Sequence, residues 1–65
     1  MKLKYVGKSF GIDELTDGKI YDAEVFDDDY YSVIDDSGEA YLYAKENPAP
    51  FDEDSPGGKW IIIEE

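Results

Sequence analysis

The chain has 65 residues, six lysines, seventeen aspartates and glutamates, and no arginine, histidine or cysteine, for a formal net charge of −11. Those numbers exclude a multidomain protein, a disulfide framework or thiolate metal site, and histidine-based acid–base catalysis. No run approaches the ~20 apolar residues of a membrane-spanning helix, and no basic-then-apolar leader precedes Leu3, so a single cytoplasmic domain over 1–65 is expected, away from membranes.

High charge with low hydrophobicity is the mark of disorder. Six tyrosines, three phenylalanines and one tryptophan argue instead for a folded domain, because each ring can bury ~150–250 Å².

Leu3 to Val6 reads as a first short strand ended by Gly7. Residues 7–18 contain three glycines and read as a structured loop, with Phe10, Ile12 and Leu15 expected to tack it onto the core. Asp17-Gly18 signals a turn ahead of Lys19–Phe26, where Tyr21, Ala23 and Val25 alternate with Asp22 and Glu24 as in a strand. Asp27-Asp28-Asp29 repel one another and are poor strand formers, which predicts a solvated turn. Tyr30–Asp35 is the next strand, Asp36-Ser37-Gly38 a tight turn, and Glu39–Ala44 its antiparallel return. With Ala40, Leu42 and Ala44 taken as the core-facing set, Tyr41 and Tyr43 are expected to point outward. Residues 45–59 carry Pro48, Pro50, Pro56 and Gly57-Gly58 and form no regular element. Trp60–Ile63 is the last strand. The pattern predicts an all-β fold, a small, strongly bent, five-stranded antiparallel barrel whose closure hides Trp60–Ile63 from edge pairing. The alternative is an open meander that dimerises through an edge.

The run Leu15-Thr16-Asp17-Gly18-Lys19-Ile20-Tyr21, the stretch from Tyr30 through Tyr43, Glu46-Asn47-Pro48, and Ser55-Pro56-Gly57-Gly58-Lys59-Trp60 together cover much of the chain. This order resembles the small, uncharacterised Src-homology-3-like barrel proteins of Gram-positive bacteria and their mobile elements. The resemblance implies a Src-homology-3-like barrel with a long loop after the first strand. It carries no biochemical activity with it, since barrels of this kind host unrelated functions.

Tyr30, Tyr31, Tyr41, Tyr43 and Pro48, rimmed by Asp27, Asp28 and Asp29, are the candidate binding residues. Such a patch, with the acidic loops at 7–18 and 27–29, suits a protein or peptide with a basic or Pro-rich surface, held by ring packing and by the hydroxyls. The competing reading is sheet packing, in which tyrosines pair across strands for ~0.2–1 kcal/mol per pair. The acid clusters at 27–29, 35–36 and 52–54 have the oxygen chemistry of calcium or magnesium sites. In a calcium-loop frame opening at Glu53, however, Ser55 and Gly57 stand where ligands belong, so solvated turns and no metal or cofactor are expected. Gly57-Gly58-Lys59 lacks the upstream glycine of a phosphate loop, and Trp60 stands where Ser or Thr is required. The serines have no histidine to activate them, so the chain is read as a non-enzyme. Its charge repels nucleic acid. A non-catalytic, monomeric interaction module is the expected function; an acidic DNA mimic, or an accessory subunit of a phage-like assembly, is the alternative.

Overall fold

The computed structural model describes residues 1–50 and 57–65. Among them lie five strands and no helix: β1 (Lys2–Val6), β2 (Ile20–Val25), β3 (Tyr30–Ile34), β4 (Ala40–Ala44) and β5 (Lys59–Glu64). All pairings are antiparallel, in the order β4-β3-β2-β1-β5. Among the described residues the sheet does not close into the expected barrel. β4 and β5 are its two edges, and among the described residues they are joined at one corner, by an antiparallel bridge between Glu46 and Lys59 and by Trp60 Nε1 donating to the Ala44 carbonyl at 3.1 Å.

Period-two alternation sorts the side chains. Leu3 and Tyr5 of β1, Tyr21 and Ala23 of β2, and Tyr31 and Val33 of β3 form the core with Leu15 and Ala49. Lys2, Lys4, Ile20, Asp22 and Glu24 fall on the opposite face. There Lys2 pairs with Asp22 across the β1–β2 ladder. Trp60 enters the core face from β5, opposite Tyr5. Its indole receives Tyr5, Tyr21, Tyr31 and Tyr43 in edge-to-face contacts, with ring centroids 5.6, 6.2, 6.5 and 6.3 Å away, the arrangement that aromatic quadrupoles favour.

The phase of β4 is the reverse of the expected one. Tyr43 stands opposite Tyr31, and Tyr41 opposite Val33, so both tyrosines share the core face; Tyr43 packs against the core and Leu42 is half exposed. Alternation alone leaves the choice of face open, and the volume needed around the indole decides it. Two alanines and a leucine cannot fill a cage that takes tyrosine rings.

The loop before β2 is built rather than slack. Phe10 and Leu15 bridge each other through mutual backbone hydrogen bonds. Leu15 is fully buried, and Phe10 lies against Tyr5 at 6.1 Å. Asp17 accepts from the Gly7 amide, and Ser9 Oγ accepts from the Asp17 amide. Ile12 does not join this packing: four residues at the tip cannot turn inward, and its side chain is 96% exposed. Across the core, Gly58 has φ +70°, and a Cβ there would stand 2.7 Å from the Tyr5 ring. Close approach and backbone conformation both require glycine at that position.

Candidate functional site

The β3–β4 turn carries two adjacent carboxylates that hold the molecule's rim. Asp35 is buried. It accepts from the Ser37 amide at 2.9 Å, from the Ser37 hydroxyl, and from the Tyr43 hydroxyl at 2.7 Å. Burial opposes its ionisation, but these hydrogen bonds outweigh it and hold the carboxyl below its ordinary pKa. The Tyr43 phenol is correspondingly pushed well up, by burial first and by Asp35 second. Asp36 accepts from Lys19 Nζ at 2.6 Å, Thr16 Oγ1 at 2.8 Å and the Tyr21 hydroxyl at 3.0 Å. Its pKa is lowered as well, with burial again overcome by its donors. The Asp36 amide donates to the Glu14 carbonyl at 3.0 Å, which clamps the tip of the long loop against the turn. Sequence reading treats Asp35-Asp36 as a solvated turn; the pair is a structural hub, because tyrosine hydroxyls emerging from the core need acceptors at its rim.

That clamp creates a groove of about 490 Å³ between the loop tip and β4, lined by Asp13, Glu14, Asp35, Ser37, Tyr41, Leu42 and Tyr43. Tyr41 is 52% exposed, and its hydroxyl donates to Glu39 at 3.1 Å. Asp13 and Glu14 therefore share the groove with an exposed ring, and none of the described lining residues is a lysine. A second groove, of about 390 Å³, lies between Asp28, Asp29 and Tyr30 on one side and Ala44, Lys45 and Glu46 on the other. Asp27 Oδ1 accepts from the Asp29 and Tyr30 amides at 2.8 and 2.9 Å, so this carboxylate is spent on its own turn.

The structure separates the candidate residues. Tyr30 and Tyr31 are neighbours in one strand and point to opposite faces. Tyr31 is buried, with the Lys45 ammonium 5.3 Å from its ring centroid. Tyr41 and Tyr43 share one groove wall, while Tyr30, with Asp28 and Asp29, lines the other groove. Pro48 is half buried in the connection after β4 and lines neither groove. Sequence reasoning gave binding to the acidic loop 7–18 as a whole, and Asp13 and Glu14 are the two residues of that loop that line the groove. Their signal was the pair Phe10 and Leu15, two apolar residues spaced to close a hairpin and present whatever lies between them. Among the described residues, no group of three or more carboxylates is gathered to hold a metal ion; the acids at 52–54 lie outside the described residues.

Comparison with protein-family models, with curated proteins and with solved structures finds no match.

Proposed function

We propose that this protein is a non-catalytic interaction module, a Src-homology-3-like sheet that binds a basic polypeptide segment in the groove between the loop tip and β4. The supporting observation is the exposed Tyr41 ring with Asp13, Glu14 and Glu39 around it. A cation in that groove meets the Asp13 and Glu14 carboxylates beside an exposed aromatic ring, and cation–π attraction to that ring adds ~0.5–2 kcal/mol to the ion pairing. The groove walls are held by the Asp36 clamp before any ligand arrives, which lowers the ordering cost of binding. An acidic DNA mimic is less well supported. It needs one unbroken acidic face, whereas Lys2, Lys4 and Ile20 interrupt the acids on the outer face of β1 and β2.

Titration of ¹⁵N-labelled protein with a capped Lys-rich peptide and with a neutral Pro-rich peptide tests the reading. The Lys-rich peptide should shift the Glu14, Tyr41 and Leu42 amides, and Asp13→Asn/Glu14→Gln should remove the response. Shifts that persist in that variant, or none with either peptide, would sink the proposal.

A further inference from the structure

We infer that the free edge of β4 seats the backbone of the bound segment, which adds to the sheet as an antiparallel strand with basic and apolar residues in alternation. The inference rests on the peptide-binding reading above, and it specifies the ligand's backbone and side-chain order.

The hydrogen-bond phase of the β3–β4 ladder shows which groups are available. The Asp35 amide donates to the Glu39 carbonyl at 3.2 Å, and the Lys45 amide to the Asp29 carbonyl at 2.9 Å. In an antiparallel pair, hydrogen-bonded and non-hydrogen-bonded positions alternate. Tyr41 and Tyr43, in phase with Glu39 and Lys45, thus direct their backbone groups to β3. Ala40, Leu42 and Ala44 direct theirs away from it. The Ala44 carbonyl demonstrates the direction, since it points across to β5 and accepts from Trp60 Nε1. Further along, the edges of β4 and β5 have no strand between them among the described residues. The N–H and C=O of Leu42 and Ala40 are therefore left as a ready template for an added strand.

Side-chain order follows from the same alternation. A ligand residue opposite Leu42 places its side chain on the outer face, beside half-exposed Leu42 and the two alanines, where an apolar group fits. Its two neighbours stand opposite Tyr41 and Tyr43, on the groove face beside Asp13 and Glu14, where a lysine or arginine fits. A formal charge of −11 disfavours a second copy of this chain in the same place. A proline-rich segment is disfavoured as well, because proline lacks the N–H that the Leu42 and Ala40 carbonyls need.

The capped peptide Val-Lys-Val-Lys-Val tests this directly when compared with two N-methylated forms, one methylated at its valines and the other at its lysines. With the central valine opposite Leu42, the valine amides donate to β4 and the lysine amides face solvent. NMR titration should find the lysine-methylated form within about threefold of the parent and the valine-methylated form at least about tenfold weaker, the loss expected for two or more hydrogen bonds. Amide exchange at Ala40 and Leu42 should slow on saturation with the parent. Equal binding of the two methylated forms overturns the added strand while leaving peptide binding intact. Failure of the parent peptide and of the Lys-rich peptide alike overturns both.

Discussion

The Tyr43 hydroxyl reaches the buried Asp35 carboxylate at 2.7 Å, so a core aromatic ring and a turn acid each satisfy the other. Removing the hydroxyl leaves Asp35, among the described residues, with the Ser37 donors. Tyr43→Phe should cost about 1.5–3 kcal/mol, the range for a lost hydrogen bond to a charged group. Urea denaturation measures it, and an unchanged midpoint would remove this pair from the account of stability.

The same pair sets the direction of the pH response at both ends. The Asp35 and Asp36 carboxyls are lowered in the fold. Their contribution is therefore complete above the unfolded value of about 3.9 and is lost as pH falls through the lower folded values. Tyr43 is raised, so its contribution is complete below the unfolded value of about 10 and is lost as pH rises beyond it. Melting temperature followed across pH should fall at both limits. Asp35→Asn should flatten the acid limb, and Tyr43→Phe should shrink the alkaline one. Parallel curves for wild type and both variants would contradict these assignments.

Trp60 touches four tyrosine rings. Trp60→Ala should cost about 3–5 kcal/mol, which equals the ~3–5 kcal/mol that a core this small supplies in total. The variant is expected to be largely unfolded at 25 °C by circular dichroism. A cooperative melt near the wild-type temperature would show that the cage is not the centre of the core.

Ile12 and Leu15 are three residues apart and should behave as opposites. Leu15→Ala empties a fully buried position and should cost about 2–5 kcal/mol. Ile12→Ser, at a 96% exposed position, should stay within about 0.5 kcal/mol of wild type. Equal losses in chemical denaturation would place Ile12 inside the core after all.

With a net charge of −11, repulsion among carboxylates works against the compact state. Sodium chloride raised from about 20 mM to 300 mM shortens the Debye length from roughly 20 Å to 6 Å and should raise the melting temperature. A flat or falling response would mean that the Lys2–Asp22 and Lys19–Asp36 pairs outweigh the repulsion.

All five strands were legible from alternation and turn residues, within a residue or two at each end. Two things were not. The face of β4 depends on what lies across the core from it, and no local pattern in Ala40–Ala44 encodes the arrival of Trp60. The openness of the sheet was hidden for a related reason: closure is decided by how far β4 and β5 diverge beyond one corner, a property of twist rather than of composition. The groove was half legible. Tyr41 and Tyr43 were identified, but as a surface pair with Tyr30 and Tyr31, which strand alternation then distributed between the core and the opposite face. Asp13 and Glu14 are brought to Tyr41 by contacts between segments far apart in sequence, the backbone hydrogen bond from Asp36 to Glu14 and the Thr16 and Lys19 bonds to the Asp36 carboxylate.

The placement of Trp60 has a kinetic consequence. β1 lies between β2 and β5, so the strand made first waits for the strand made last, and the indole that fills the cage is threaded only with β5. A chain emerging from the ribosome through Ala44 has a three-strand meander and β1 in hand, yet its tyrosine rings still lack the indole they pack around. Pairings this distant in sequence are the slow ones to form. The transition from fluctuating meander to native protein should therefore coincide with a single optical event, the quenching of tyrosine emission as excitation passes to the one tryptophan.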